Sequence, residues 1–294
     1  MRWRKVAILG IGLLGGSLGM ALRRRGLARE VAGFARREAT VVEALEAEAV
    51  DSAATELGPV VQGADLVVLC TPLGEMAALG ERLSGLLAAG TIVTDVGSVK
   101  APVVECLTGP VARAGGFFVG SHPMAGSERT GVASGRPDLF EGAVSVVTPV
   151  DATHAPALAQ VEEFWRSLGA RTLTLSPATH DELVARSSHL PHLLASVLAT
   201  YVLSARHGAE QAQLCATGFR DTTRLACGSP VMWRDIALAN RRAILDALDG
   251  LESVLREARG ALEAADGARL ERFFEGAREV RSAWAAGGVR PNGE

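Results

Sequence analysis

Residues 120–128 read GSHPMAGSE, which places His122 between a serine and a proline, directly after the apolar run Phe117-Phe118-Val119. The small residues that follow favour neither strand nor helix, so the ring is expected where a buried strand gives way to a loop. An imidazole titrates near neutrality, and at such a position it suits the uptake of a proton from an alcohol. Further on, SSHLPH supplies Ser188, His189 and His192. Two histidines three apart could begin a metal site, but no third ligand follows at suitable spacing, and no metal is expected. GFRDTTRLA supplies Arg220, Asp221 and Arg224. The two arginines are four apart and could share a helix face, in a surface ion pair or as carboxylate ligands.

A second set of residues points to a bound dinucleotide. VAILGIGLLGGSLG carries Gly10, Gly12 and Gly15 in G-x-G-x-x-G spacing, between an expected strand and an expected helix. The first glycine allows the tight turn, the second lets a pyrophosphate approach the backbone, and the third lets helix and strand pack closely. Leu13 and Leu14 open the helix, whose free N–H groups and dipole would face the phosphates. The second strand ends in GFARRE, with Ala35 where an acidic residue would hold the ribose of NAD. Arg36 and Arg37 follow, and this tilts the choice toward NADP over NAD. Thr71 and Pro72 in CTP, and Ser98 and Lys100 in DVGSVK, end later strands, where open α/β sheets bind ligands. Ser98 either contacts this ligand region or caps the next helix, and Lys100 either joins it or is simply exposed.

These residues need a scaffold, and the apolar pattern supplies one. Strands are expected at 5–10, 30–35, 65–71, 91–96, 117–121, 143–148 and 171–175, apolar almost throughout, as strands covered on both faces are. Helical stretches lie between several of them, around 14–25, 39–48, 74–88 and 153–168. That alternation predicts a Rossmann-like, doubly wound α/β sheet over residues 1–177. From His180 to Trp284 no β-rich run occurs and leucine and alanine recur at helical spacing, so residues 178–294 are expected to form an all-α domain. Pro191 should kink its first helix or free a carbonyl there. The long apolar helices with little charge on one face call for a second copy as cover, a homodimer.

The totals exclude several classes. A chain of 294 residues with 48% hydrophobic and 21% charged residues has the balance of a globular protein. Its net charge of -3 speaks against nucleic acid or an anionic membrane as partner. No stretch is long and apolar enough to span a bilayer, and the N-terminal MRWRKVAILGIG runs into the glycine motif without a cleavage site. Cys70, Cys106, Cys215 and Cys227 show no paired spacing, which suits free thiols in a reducing cytoplasm.

Several stretches together resemble the prephenate/arogenate dehydrogenase family of tyrosine biosynthesis. They are GxGLLGGSL, DVGSVK, GSHPMAGSE, DLFEGA, SHLPH and GFRDTTRLACGSPVMWRDI, in matching order across about 1–245. The resemblance implies an NAD(P)-dependent oxidative decarboxylation of prephenate or of arogenate. It makes His122 the acceptor of the substrate hydroxyl proton and Ser98 the residue that orients the ring. It assigns a substrate carboxylate to Arg224, and places Ser188, His189 and His192 beside the substrate and Glu128 near the cleft mouth. Asp221 and Arg220 match positions that shape the cleft or tie the domains together, and Trp233 either closes the pocket or belongs to the core. Ala35 departs from the family's frequent acidic residue, and Ser229 stands where an aspartate is common. No room is evident for a fused chorismate mutase or ACT domain, so any feedback by tyrosine would act at the active site. His154, His180 and His207 carry no comparable signal. A β-hydroxyacid dehydrogenase would need a lysine in its second domain, but no lysine follows Lys100. A non-catalytic nucleotide sensor would not need His122, Ser98 and Arg224.

Overall fold

The structure, a computed structural model, describes residues 3–126, 129–204 and 208–287. Apolar runs without alternation become the strands of one sheet with both faces covered. In chain order the elements are β1 (Trp3–Leu9), α1 (Leu13–Arg24), β2 (Ala28–Phe34), α2 (Glu38–Glu46), β3 (Ser52–Ala54), α3 (Leu57–Val61), β4 (Leu66–Leu69), α4 (Leu73–Leu83), β5 (Ile92–Asp95), α5 (Ala101–Arg113), β6 (Phe117–Pro123), β7 (Val144–Thr148), α6 (Ala155–Ser167) and β8 (Arg171–Thr174). Val6, Ile8, Leu66 and Val68 pack with Leu18 and Leu22 of α1 and Phe164 and Trp165 of α6. Their neighbours Ala7, Leu9, Val67 and Leu69 pack on the other face with Met76 and Leu79 of α4 and Leu107 of α5. In the central strands β4 and β5 every residue is therefore buried whichever way it points, which explains the missing alternation.

The sheet order is β3-β2-β1-β4-β5-β6-β7-β8. All neighbouring pairs are parallel except β6 with β7. The direction of winding reverses between β1 and β4, which opens a crevice at the carboxyl ends of these strands. Two sequence expectations change. A three-residue edge strand, β3, is too short to show as an apolar run. His122 also lies within a strand rather than beyond one: β6 runs on to Pro123 because the antiparallel β7 pairs with it, His122 opposite Val146 and Pro123 opposite Ser145.

After β8 the described residues form helices: α7 (Pro177–Val184), α8 (Leu190–Leu203), α9 (Gly208–Leu214), α10 (Thr217–Thr223), α11 (Pro230–Ala239), α12 (Arg241–Glu263) and α13 (Gly267–Ala285). Ser176 caps α7, its hydroxyl accepting the Thr179 N–H at 3.1 Å. Between α7 and α8 the residues Ala185–His189 form a π-helical turn, closed by the Leu190 N–H donating to the Ala185 carbonyl. Pro191 follows in the first turn of α8, a position that tolerates a missing N–H, so the irregular segment lies just before the proline.

The chain divides into two compact units, Met1–Ile244 and Leu245–Glu294. The change from sheet to helix at 174–177 thus lies inside the first unit. The second unit holds the rest of α12 and α13, whose start is capped by Asp266 accepting the Arg269 N–H at 2.9 Å. It exposes Val254, Leu255, Leu262, Phe274, Val280 and Trp284. No helix among the described residues is long and apolar enough to cross a membrane.

Candidate active site

The turn after β1 is built for a close ligand. Gly10 has φ of +102°, and a Cβ there would lie 2.7 Å from the Cys70 carbonyl oxygen. A Cβ on Gly15 would overlap the Gly10 carbonyl oxygen, whereas one on Gly12 would meet nothing of the protein within 4 Å. Gly12 is the N-cap residue of α1, with no side-chain cap and no acidic residue in the first turn formed by Leu13 and Leu14. Thr71, at the adjacent end of β4, has a buried Oγ1 without a hydrogen-bond partner among the described residues, and Pro72 is the N-cap residue of α4. An uncapped helix start, open space at Gly12 and an unpaired hydroxyl fit the pyrophosphate and nicotinamide portion of a dinucleotide. Burial pushes the Cys70 thiol far up, so that neighbour is inert. At the end of β2, Ala35 is buried. Arg36 donates from Nη1 to Glu75 Oε1 at 2.5 Å, and Arg37 donates to Thr40 Oγ1 at 3.3 Å.

At the ends of β5 and β6 a buried ion pair fixes the backbone. Asp95 accepts the Ser121 N–H on Oδ1 at 3.0 Å and the Gly97 N–H on Oδ2 at 2.8 Å, and it also pairs with the Lys100 ammonium. Lys100 donates to the Ser121 carbonyl at 2.8 Å and is fully buried. It is therefore neither exposed nor a ligand at the surface of the crevice: it ties β5 to β6 directly before His122. Burial pulls its ammonium below the ordinary lysine value, and Asp95 opposes that.

His122, 8% exposed, directs Nδ1 to Nε2 of His180 at 2.8 Å. His180 is fully buried, and its Nδ1 lies 2.8 Å from Asp181 Oδ1. Asp181 in turn accepts the N–H groups of Lys100 at 2.6 Å and Ala101 at 2.8 Å, capping α5. Its carbonyl accepts from Asn240 Nδ2 at 2.8 Å, and the same Nδ2 lies 3.0 Å from His189 Nδ1. His189 Nε2 is buried and lacks a partner in hydrogen-bonding geometry among the described residues, although the Ser98 backbone is near enough to favour the charged ring. His192 stacks on Trp233 with ring centroids 3.5 Å apart. Gly228 is pressed against both, and a Cβ there would lie 2.6 Å from Trp233 Nε1. Ser229 caps α11, its Oγ accepting the Met232 N–H at 3.5 Å.

Electrostatics favour neutral rings. Burial, then the neighbouring His180, Lys100 and His189, pull His122 well below the ordinary histidine value. Burial lowers His189 to about 4 against an opposing pull from Asp181, and it lowers His192 as well. At neutral pH His122, His189 and His192 are thus uncharged imidazoles: bases and hydrogen-bond donors rather than cations.

Of the residues expected from sequence, the structure gathers Ser98, His122, His189, His192 and Trp233, adding His180, Asp181 and Asn240. The partner shown for His122 is His180 rather than Ser98. Ser188 is half-buried in the π-helical turn. Arg224 opens the short 3-10 turn Arg224–Cys227, which packs against α8, and Asp221 and Arg220 are exposed on α10. Glu128 and His207 lie outside the described residues. In sequence His180 and Asp181 look like any surface pair of a helix, and nothing marks Asn240. No group of His, Cys, Asp or Glu among the described residues is arranged to hold a metal ion.

Sequence profiles match this layout in two parts: the nucleotide-binding domain of prephenate dehydrogenase over residues 18–174, and its dimerization domain over 176–276. The chain belongs to the prephenate dehydrogenase family. It is a nicotinamide-dependent oxidoreductase of that family. It is 34% identical over 283 residues to prephenate dehydrogenase of Bacillus subtilis (strain 168), covering 94% of this chain and 75% of that one. It is 31% identical to cyclohexadienyl dehydrogenase of Zymomonas mobilis, covering 96% of each. The structure superimposes on prephenate dehydrogenase from A. aeolicus, in complex with hydroxyphenyl propionate and NAD+, with a TM-score of 0.90 at 29% identity, over 96% of this chain and 98% of that one. For Synechocystis arogenate dehydrogenase the TM-score is 0.81 at 31% identity, over 95% and 99%.

Proposed function

We propose that the protein oxidises and decarboxylates prephenate to 4-hydroxyphenylpyruvate, with His122 as the base. The observation that carries this reading is a buried, neutral imidazole at the carboxyl edge of the sheet, held through Nδ1 so that Nε2 is left for the substrate. Nε2 takes the proton of the ring hydroxyl as hydride leaves the same carbon. The bound dinucleotide supplies the hydride acceptor. The resulting dienone is a vinylogous β-keto acid: its C1–carboxylate bond breaks, the electron pair enters the ring, and the phenolate recovers a proton from His122. Atoms and charge then balance as one CO2, one aromatic product and one transferred hydride.

Ser98, three residues beyond β5, is assigned to orient this ring, and Ser188, His189 and His192 are assigned to the substrate. Arg224 is assigned to a substrate carboxylate, which a planar guanidinium fork suits, while Asp221 and Glu128 belong to the cleft. Gly10, Gly12, Leu13, Leu14, Gly15, Thr71 and Pro72 hold the dinucleotide. Ala35 followed by Arg36 and Arg37 supports NADP over NAD. Residues 1–177 serve as the nucleotide half and 178–294 as the substrate and dimerisation half. Val197, Tyr201, Leu203 and Leu214 are exposed on the helical half, which supports a homodimer. The four free cysteines suit a reducing cytoplasm. Arogenate is the alternative substrate, supported by the likeness to the Synechocystis enzyme. Steady-state rates with prephenate and arogenate, each with NAD+ and NADP+, test the reading. Prephenate with NADP+ is expected to give the highest kcat/KM, and absence of cofactor reduction with either substrate would refute it.

A further inference from the structure

Asp181 touches both histidine arms of the site, one through its side chain and one through its carbonyl. Both of its carboxylate oxygens accept backbone N–H groups at the start of α5, so the side chain offers only acceptors. His180 Nδ1, 2.8 Å from that carboxylate, therefore carries a proton. In a neutral His180 ring Nε2 is then the lone-pair nitrogen, and His122 Nδ1, 2.8 Å away, must donate to it. That leaves His122 with a lone pair on Nε2. The second arm has the opposite sense. The Asp181 carbonyl can only accept, which fixes the Asn240 amide with its nitrogen toward Asp181. The same nitrogen faces His189 Nδ1 and donates to it, so the His189 proton resides on Nε2. This Nε2 is a buried atom with no hydrogen-bond partner among the described residues.

We infer that Asp181, acting through His180 and Asn240, gives the two active-site histidines opposite tautomers: His122 presents an acceptor and His189 a donor. This deepens the proposed function and rests on its assignment of His122 as base. His180, Asp181 and Asn240 are positioning residues, since none is placed against the substrate. The arrangement also gives the abstracted proton an outlet. As Nε2 of His122 gains the substrate proton, its Nδ1 proton passes to His180 Nε2, and the positive charge comes to rest beside the Asp181 carboxylate. Lys100, His180 and His189 all disfavour a cation on His122, so moving the charge off that ring helps the forward step.

Nitrogen-15 spectroscopy of histidine-labelled wild-type protein, with signals assigned through His122→Asn and His189→Asn, reads the tautomers directly. The expected unprotonated nitrogens are Nε2 in His122 and Nδ1 in His189; the same nitrogen in both rings, or the reverse pair, overturns the inference. Kinetics supply a second readout. His180→Leu removes the acceptor and should lower kcat about 10- to 100-fold, as loss of an orienting partner does, with the prephenate KM within about threefold. His180→Gln, whose amide oxygen can accept the Nδ1 proton, should restore most of that loss. Wild-type rates in His180→Leu would refute the relay while leaving the proposed function intact. An inactive wild type would refute that function, and the tautomers would still be readable. If His180→Leu does not fold, the labelled wild type and His180→Gln decide.

Discussion

In the turn Gly10–Gly15 the protein presents a ligand with almost nothing but backbone, whereas around His122 it presents almost nothing but side chains. Both lie at the carboxyl edge of the sheet. The turn needs only one strand end and one helix start, and its geometry is defined by where a Cβ cannot go. The histidine cluster draws on β5, β6, α7, the π-helical turn and α11 with the residue that follows it. Its key contacts join positions 58 and 51 residues apart. A backbone site is damaged by adding atoms; a side-chain site is damaged by changing which atom holds a proton.

The largest expected effect separates these two kinds of damage. His122→Asn should lower kcat about 10²- to 10⁴-fold, the range for a lost general base, with substrate and cofactor KM little changed. Normal turnover with a raised KM would mean that His122 binds rather than reacts. In the turn, Gly15→Ala forces overlap with Gly10 and should destabilise the fold by about 1–3 kcal/mol in denaturant titration. Gly12→Ala meets only open space, so it should fold normally yet raise the cofactor KM about tenfold, equivalent to about 1.4 kcal/mol. Equal stability losses in the two variants would erase the distinction drawn here.

Acid should act on the cluster and spare the turn. His189 binds its proton at about 4 in the folded state and near 6.5 when unfolded. Its contribution to stability is thus complete above 6.5 and is lost as pH falls toward 4, by about 3 kcal/mol in all. For the same reason the acid limb of kcat/KM should lie below the ordinary histidine value, since His122 stays neutral there. A limb at or above 6.5 would contradict the burial argument. The smallest effect concerns cofactor choice. Arg36→Ala should raise the NADP KM several-fold, up to about tenfold, and leave NAD unaffected, while Glu75→Gln, by releasing Arg36, should favour NADP. Equal changes for both cofactors would make the Arg36–Glu75 pair a surface ion pair only.

The two regions also differ in how far the sequence reveals them. The glycine spacing is local, so the turn, its strand and its helix could all be read in advance, along with six of the seven other strands. The seventh, β3, is three residues long and half-exposed, and leaves no apolar signature. His122 was visible as a titratable ring in an unusual setting, but its membership of β6 depends on pairing with β7. The roles of His180, Asp181 and Asn240 are not legible in the sequence, because they exist only once α7, the beginning of α5 and the residue after α11 come together. Lys100 was misjudged for a related reason: its burial is set by Asp95 and the Ser121 carbonyl, which come from two strands.

In the proposed reaction a neutral His122 takes the proton whose departure leads to decarboxylation. Following CO2, 4-hydroxyphenylpyruvate and reduced nicotinamide together in wild type and His122→Asn tests it most directly. Equal amounts of all three are expected from prephenate in the wild type, with all three suppressed together in the variant. Reduction without CO2, or a variant that makes product at the wild-type rate, would contradict it.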